Sequence, residues 1–229
     1  MGLPLRKRNI ITTWTRISQD AVFPCFCFAC QKPETYLCEQ CTALIHATEP
    51  LITLNKHPSP LIGVIACARY AGLMKELIHA FKYNGVQELA LPLAHIIDTA
   101  LATAVSLHSI TYPLFAVPIP LHARRERERG FNQNTLLAHH LSLMITHTPS
   151  ILKRTSYTHS QTRLKKHERL LNIKGAFCAY PPIPQSGTIV LIDDVITTSA
   201  TLQEAAQCLG AYTKTPMWGC VLAHDYIRA

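Results

Sequence analysis

The sequence has little charge, few aromatic residues and no motif of the common nucleotide-binding folds. Only 16% of its 229 residues are charged and 7% are aromatic, whereas 48% are hydrophobic, so the chain can build a packed core and disorder is excluded. It contains no G-x-x-x-x-G-K-[ST] and no G-x-G-x-x-G, which excludes a nucleotide kinase and a dinucleotide oxidoreductase of the usual kinds. It has no internal repeat, and no Ser-His-Asp or Cys-His order supports nucleophilic catalysis.

No segment has the pattern of a signal peptide or of a membrane span. The basic N-terminus is not followed by an uninterrupted apolar stretch, and the most apolar region, about 86–107, contains Glu88 and Asp98 at helical periodicity. Nine cysteines, five of them between Cys25 and Cys41, are not distributed as in a secreted disulfide scaffold. We therefore expect a cytoplasmic protein, and peripheral contact with the inner membrane stays open.

The charge of the chain is unbalanced toward the basic side. Twenty-two Lys and Arg exceed 14 Asp and Glu, for a net charge of +8, which favours polyanionic partners. Seven basic residues and one glutamate lie between 151 and 174, a pattern that suits a phosphate backbone, although a solvated basic face is the alternative. The candidate contacts for single-stranded nucleic acid are Lys153, Arg154, Arg163, Lys165, Lys166 and Arg169.

After a proline-containing strip at 48–60, which we interpret as a linker or a turn-rich surface segment, apolar runs alternate with helical periodicities. This alternation predicts an α/β fold with a mostly parallel sheet and helices on both faces. The expected strands are 62–69, 114–117, 188–192 and 217–223, and the expected helices are 73–81, 89–105, about 134–146 and 201–209.

An apolar strand that ends in two carboxylates is the sharpest signal. In TIVLIDDVITTSAT, which begins at Thr188, Asp193 and Asp194 precede a short loop of hydroxyl residues and a helix. Ligands of open α/β sheets bind beyond the carboxyl ends of the strands, and the loop and helix N-terminus would bind one phosphate. The two aspartates would accept hydrogen bonds from vicinal ribose hydroxyls, directly or through Mg²⁺. The pattern therefore describes a ribose 5-phosphate site, unless the aspartates merely end a strand and the hydroxyl residues cap a helix.

Two further basic segments could contact a phosphorylated ligand. VPIPLHARRERERGFNQ contains four arginines, of which Arg127 and Arg129 are the candidate pyrophosphate contacts, because the guanidinium fork matches phosphate oxygens. The alternative is a solvated helix start with Arg–Glu pairs. In HAFKYNG, Lys82 is a third candidate, and its alternative is an ordinary helix C-terminus closed by Asn84 and Gly85.

The cysteine cluster has the spacing of a zinc site. Cys27-x-x-Cys30 and Cys38-x-x-Cys41 can place four thiolates around one Zn²⁺, and four thiolates leave no open position for catalysis. Such a site would stabilise a small module that lacks a core of its own. Cys25 could replace Cys27 as a ligand, and a redox pair of CxxC motifs is the alternative to zinc.

The acidic strand and its loop resemble the binding signature for 5-phosphoribosyl 1-pyrophosphate (PRPP) of type I phosphoribosyltransferases. The resemblance implies that Asp193 and Asp194 hold the ribose hydroxyls, and one position departs from the family, which usually has glycine where this chain has Ser199. The resemblance also implies a loop for the 5-phosphate, formed by Thr197, Thr198, Ser199, Ala200 and Thr201.

Taken together, the segments resemble the ComF family of competence-associated proteins. The paired CxxC, LIHAFKYNG, VPIPLHARRERERGFNQ, the LKRT…SQTRL…GAF block and IVLIDDVITTSAT occur in family order and cover nearly the whole chain beyond residue 25. The resemblance implies a basic lead-in at 1–22, a zinc module at 23–47 and a phosphoribosyltransferase-like domain at 48–229.

The same resemblance implies a role with imported single-stranded DNA, in natural transformation or in the use of DNA as a nutrient. Three functions stay open. The first is a DNA-uptake protein that binds PRPP with Mg²⁺ and single-stranded DNA, in contact with other DNA-uptake proteins. The second is an active phosphoribosyltransferase, in which Mg²⁺ and arginines would hold the departing pyrophosphate. The third is a zinc-dependent adaptor whose ribose-phosphate site is vestigial.

Overall fold

A six-stranded sheet forms the centre of the computed structural model, which describes residues 25–46, 50–55, 59–108, 110–142, 145–147, 151–155 and 173–225. The helices and strands follow in chain order: α1 Glu39–His46, β1 Leu51–Leu54, β2 Leu61–Arg69, α2 Gly72–Tyr83, α3 Ala90–Leu107, β3 Leu114–Pro118, α4 Ala123–Arg129, α5 Gln133–His140, β4 Ile145–His147, β5 Leu152–Arg154, β6 Phe177–Ala179, β7 Thr188–Ile196, α6 Ala200–Gly210 and β8 Met217–His224.

The strand order of the central sheet is β1-β2-β8-β7-β3-β4, and every pair is parallel except β1 with β2. The central strands β2, β7 and β8 are apolar and mostly buried, as is typical of parallel strands covered on both faces. A separate antiparallel pair joins β5 to β6. The mixed α/β class with a mostly parallel sheet flanked by helices is therefore confirmed.

Two hydrophobic cores lie on opposite faces of the sheet. Along β7, Val190 and Ile192 pack in one core with α2, α3 and α5, whereas Ile189 and Leu191 pack in the other with α6, β5 and β6. This division follows from the strand geometry, because successive side chains point to opposite faces. The cysteine segment belongs to the first core, to which Ile45 of α1 also contributes.

The prediction of a helix over about 134–146 is wrong at its C-terminal end. Helix α5 ends at His140, and the Ser142 backbone N–H donates to both carboxylate oxygens of Asp98, at 3.1 and 3.0 Å. Ile145–His147 then form β4, parallel to β3 at the edge of the sheet. The hydrogen bonds that Ser142 donates to Asp98 of the distant helix α3, together with the pairing of β4 with β3, outweigh the local helical pattern, and the two β-branched residues of β4 suit a strand.

The interpretation of 48–60 as a linker or turn-rich strip is wrong for Leu51–Leu54. These residues form β1, which pairs with β2 from Leu51 opposite Ala66 to Leu54 opposite Gly63. The prolines of this region do not prevent the pairing, because Pro50, Pro58 and Pro60 all lie outside the paired residues Leu51–Leu54.

Among the described residues, one helical stretch, 87–107, is long and apolar enough to cross a membrane by length and composition. Half of its apolar window is buried inside the fold, and Leu93 and Ile97 are fully enclosed in the first core. This burial is typical of a helix that packs against a sheet.

Candidate functional site

A cleft of about 860 Å³ opens where the parallel strands β3 and β7 end. Segments from both faces of the sheet contribute to its wall. The predicted site residues that line it are Lys82, Arg129, Arg154, Asp193, Asp194, Thr197, Thr198 and Thr201. The predicted residues that do not line it are Arg127, Ser199, Ala200 and Lys153.

The acidic pair lies inside strand β7 and not after it. The predicted strand ends at Ile192, but pairing with β8 continues through Asp193 opposite Val221 to Ile196 opposite His224. Asp194 is buried, with 6% of its surface exposed, and Asp193 is partly buried. The backbone ladder therefore holds both carboxylates in fixed positions at the floor of the cleft.

Two side-chain amides from the start of α5 hold the carboxylates. Gln133 Nε2 donates to Asp194 Oδ2 at 2.6 Å, and Asn134 Nδ2 donates to Asp193 Oδ1 at 2.9 Å. Both amides are buried, and α5 begins here because the Asn132 side chain accepts a hydrogen bond from the Asn134 N–H. The start of α5 is therefore joined directly to the acidic pair.

Lys82 forms an ion pair with the second aspartate. Its Nζ lies 2.7 Å from Asp194 Oδ1, and the two side chains are only 14% and 9% exposed. Lys82 also occupies the last turn of α2, which closes at Asn84, whose N–H donates to the carbonyl of Ala80. The residue is thus both part of a helix C-terminus and the ion-pair partner of Asp194.

Burial strongly disfavours a second negative charge in this pair. Desolvation, together with the charge of Asp194, raises the pKa of Asp193 to about 7 from its ordinary value of 3.8. Hydrogen bonds from the Asp194 N–H and from Asn134, and the charge of Lys82, act in the opposite direction without cancelling the rise. Near neutral pH, Asp193 is therefore only partly ionised.

The arginine-rich segment folds as the short helix α4 and divides its side chains between solvent and the cleft. Arg124 pairs with Glu128 at 2.9 Å on the exposed side, as the alternative of a solvated helix predicts. Arg129 faces the cleft, donates to Gln133 Oε1 and lies over the ring of Tyr83, with its guanidinium carbon 5.4 Å from the ring centroid. The helix ends at Arg129 and is capped by Gly130, whose φ of 85° favours glycine.

Two other guanidinium groups come together in the same cleft. Arg125 and Arg154 both line it, and burial together with the charge of Arg125 lowers the pKa of Arg154 to about 10, against an opposing effect of Asp193. Within the described residues, the buried Nη2 of Arg125 has no hydrogen-bond partner. Two half-buried cations side by side, one with an unused donor, are an arrangement suited to an anion.

The hydroxyl loop connects β7 to α6 on the other side of the acidic pair. Thr197, Thr198 and Thr201 line the cleft. Ser199 precedes α6 with φ −73° and ψ 6°, a conformation that any residue adopts, and lies outside the lining. The position at which the phosphoribosyltransferase signature usually has glycine therefore requires no glycine here.

The four cysteines of the two CxxC motifs converge. The Sγ atoms of Cys27, Cys30, Cys38 and Cys41 all lie within 4.8 Å of one another, and Cys25 does not belong to this group. A tetrahedral Zn²⁺ with Zn–S bonds of about 2.3 Å separates its sulfur ligands by about 3.8 Å, so this donor set fits zinc.

The clustered thiols influence one another's ionisation in a way that suits a site for a cation. Although burial opposes ionisation of Cys27, backbone hydrogen bonds, including the Cys38 N–H at 3.4 Å, lower its pKa to about 6. Burial and the neighbouring cysteines raise the pKa of Cys41 to about 12. A thiolate crowded by three other sulfur atoms is stabilised when a cation takes the place of the protons.

The acidic pair does not fit a directly bound magnesium ion. Lys82 and Gln133 occupy the two oxygens of Asp194. Asp193 Oδ1 accepts from Asn134 and from the Asp194 N–H. Mg²⁺ needs near-octahedral oxygen ligands at about 2.0–2.1 Å, and three of the four carboxylate oxygens are already engaged.

The predicted nucleic-acid contacts do not lie on one described surface. Lys153 is exposed on β5, with its Nζ 4.5 Å from the ring centroid of the exposed Tyr180. Arg154, the next residue, turns instead into the cleft. The remaining candidates, Arg163, Lys165, Lys166 and Arg169, lie outside the described residues.

The cleft residues that were not among the predicted contacts include Arg125, Gln133 and Asn134. A signal for the two amides is present in the sequence, since GFNQN follows the arginine run directly and supplies a helix cap. Nothing in the sequence indicates that their partners are carboxylates 59 and 61 residues away.

Comparisons with known proteins find relatives over most of the chain, although no family model matches. The DNA utilization protein YhgH of Escherichia coli K12 is 32% identical over 186 residues, which are 80% of this chain and 82% of that protein. Competence protein F of Haemophilus influenzae is 30% identical over 167 residues, 70% of this chain and 72% of that protein. Competence protein ComFC of Bacillus subtilis is 39% identical over 143 residues, 61% of this chain and 55% of that protein.

Proposed function

The chain belongs to the ComF family, and from that premise we propose that it acts in the uptake or use of DNA and binds a ribose 5-phosphate ligand, PRPP or a related compound, in the cleft. The observation that carries the proposal is the convergence of an acidic pair, a hydroxyl loop and three arginines in one cavity of about 860 Å³. The names of the relatives support the DNA-related role.

The phosphate and the sugar of such a ligand have separate candidate contacts. Thr197, Thr198 and Thr201 offer hydroxyl donors beside the N-terminus of the 11-residue helix α6, where backbone N–H groups and the helix dipole favour an anion. Asp193 Oδ2, for which the described residues show no hydrogen-bond partner, can accept from one ribose hydroxyl, and each oxygen of Asp194 keeps a second lone pair for the other. These two groups belong to one strand and the loop that follows it, which supports a single ligand that spans both.

The pyrophosphate end has candidate contacts on the opposite wall. Arg125, Arg129 and Arg154 line the cleft, and the unpartnered Nη2 of Arg125 would donate a hydrogen bond to a phosphate oxygen. Magnesium enters this proposal only as a counter-ion of the ligand's own phosphate oxygens, because the acidic pair is occupied. Arg127 is exposed and outside the cleft, so we assign the pyrophosphate to the other three arginines.

Single-stranded DNA would bind at the basic segment that begins with β5. The exposed pair of Lys153 and Tyr180 combines a cation with an aromatic face, which are the two contacts that sequence-tolerant binding of single strands uses. The rest of the segment adds four further basic residues, namely Arg163, Lys165, Lys166 and Arg169. Counterion release from their phosphate contacts would make this binding strongly dependent on salt.

Calorimetric titration with PRPP tests the cleft. We expect binding to the wild type and a loss of at least about tenfold in affinity when Asp193→Asn is combined with Asp194→Asn, because neutral amides no longer accept both ribose hydroxyls equally well. Glu76→Gln is the matched control, since Glu76 is exposed on α2 and does not line the cleft. Absence of PRPP binding to the folded wild type contradicts the proposal.

Oligonucleotide binding tests the DNA surface separately. Lys153→Ala combined with Lys165→Ala and Lys166→Ala should weaken binding of single-stranded DNA and reduce the slope of log affinity against log salt by about 2, because each lysine would neutralise about one phosphate and a single strand contributes about 0.7 per phosphate. Lys75→Ala, an exposed lysine of α2, is the control. An unchanged affinity and slope in the triple variant would remove this surface from the proposal.

Release of pyrophosphate from PRPP with a panel of bases would extend the proposed function to phosphoribosyl transfer.

A further inference from the structure

We infer that Lys82 is the cation of the ribose end of the cleft, so that the sugar binds to the acidic pair without a divalent metal ion between the two aspartates. This inference rests on the proposed function and adds to it the identity of the charge that balances the carboxylates. It names a binding role for Lys82 that is distinct from the phosphate contact predicted from the sequence.

The geometry of the ion pair leaves no room for a metal ion on Asp194. Lys82 Nζ lies 2.7 Å from Asp194 Oδ1, and the other oxygen of that carboxylate accepts from Gln133 at 2.6 Å. A metal ion that ligated Asp194 would have to displace a buried ammonium group or a buried amide. Displacement of either leaves a polar group without its partner in a place where only 9% of the carboxylate side chain is exposed.

The charge of the site also disfavours a divalent metal ion. Asp193 and Asp194 carry at most two negative charges, and the ammonium group of Lys82 already neutralises one. The remaining charge is small for the binding of a strongly hydrated divalent cation, which usually needs one or two free carboxylates together with ligand phosphates. The arginines of the opposite wall add positive charge to the same cavity and oppose a metal ion further.

The ammonium group of Lys82 has enough donors to contact a ribose hydroxyl as well as Asp194. Lys82 has three N–H donors, and the contact with Asp194 uses one of them. Because Lys82 also lines the cleft, another of its donors is within the wall that a bound ribose would contact. Lys82 would then donate to one ribose hydroxyl oxygen while that hydroxyl, or its neighbour, donates to Asp193.

The test uses ribose 5-phosphate as the probe, because it lacks the pyrophosphate through which PRPP itself would bind Mg²⁺. The affinity of the full chain is measured by calorimetry in EDTA and again in excess Mg²⁺. We expect the two wild-type affinities to agree within about threefold, which is less than one charged hydrogen bond contributes. Lys82→Met should lose at least about tenfold in EDTA and regain binding in Mg²⁺, because the ion can then reach Asp194. Lys75→Met is the matched control on the exposed side of α2.

Wild-type binding that requires Mg²⁺ would overturn the inference and leave the proposed function intact. Unchanged binding by Lys82→Met in EDTA would overturn it as well, and so would a folded Lys82→Met that Mg²⁺ does not restore. The wild-type comparison needs no variant, so a requirement for Mg²⁺ would be detected even if Lys82→Met does not fold. No binding of ribose 5-phosphate or PRPP by the wild type under either condition would contradict the proposed function itself.

Discussion

Gln133 donates its side-chain amide to Asp194 at 2.6 Å, across 61 residues of sequence. The same amide accepts a hydrogen bond from Arg129 through its oxygen, so one buried glutamine joins a cation of the arginine helix to the acidic strand. The orientation of the amide is fixed by these two partners, since only its nitrogen can donate to a carboxylate.

Gln133→Leu should therefore lower the free energy of unfolding by about 1.5–3 kcal/mol, because a buried carboxylate loses a hydrogen bond that the apolar side chain cannot replace. Urea denaturation measures the change. Gln207→Leu is the control, since Gln207 is exposed on α6 and its substitution should stay within about 0.5 kcal/mol. Equal effects of the two substitutions would show that the link to Asp194 does not stabilise the fold.

Much of the fold is predictable from the sequence because the central strands are continuous apolar runs. The runs at β2, β7 and β8 predict buried parallel strands whatever their neighbours are. The end of α5 and the edge strand Leu51–Leu54 depend instead on partners distant in the sequence, such as Asp98 for Ser142. Local periodicity contains no information about these partners, and the prediction is wrong there.

The site is predictable only to the level of residue types. The two aspartates, the threonines of the loop and the CxxC spacing indicate chemistry that each short segment carries by itself. The sequence does not indicate that Lys82 contacts Asp194, or that Arg154 turns away from its neighbour Lys153 into the cleft. Those relations arise from the packing of α2 and β5 beside the acidic strand.

The raised pKa of Asp193, about 7 against an ordinary 3.8, predicts a pH dependence of stability. The folded state holds this proton more tightly than the unfolded state, so the carboxyl group contributes stability below pH about 4 that is lost as pH rises through about 7. Asp193→Asn removes the titration. The variant should gain on the order of 1–3 kcal/mol relative to the wild type between pH 5 and pH 8. A difference in unfolding free energy that does not vary with pH would contradict this expectation, and Glu76→Gln serves as the control.

The cysteine cluster predicts one zinc ion per chain, held by the four convergent thiolates. Cys27→Ser should bind less than one ion after gel filtration and melt at a lower temperature, whereas Cys25→Ser should keep both the metal and the melting temperature, because Cys25 lies outside the group. Elemental analysis of the purified protein gives the stoichiometry. Loss of zinc from Cys25→Ser but not from Cys27→Ser would reverse the assignment.

Gly219 of β8 predicts a steric coupling between the sheet and α6. A Cβ atom at this position would lie 2.6 Å from Cδ1 of the buried Leu202, so Gly219→Ala should destabilise the fold by about 1–3 kcal/mol. Leu202→Ala removes the obstacle but leaves a cavity and should cost about 2–5 kcal/mol alone. The double variant should lose less than the sum of the two single losses. Additive losses in urea denaturation would rule out the contact as the cause.

The cleft takes its groups from both layers that flank the sheet. Lys82 and Gln133 come from helices of the first core, whereas Arg154 and the threonines of the loop belong to elements of the second. A molecule held by both sets would clamp the two layers across the end of the sheet. The contacts with the ligand would come from elements that are far apart in sequence. Binding would therefore reduce the mobility of the layers on both faces of the sheet.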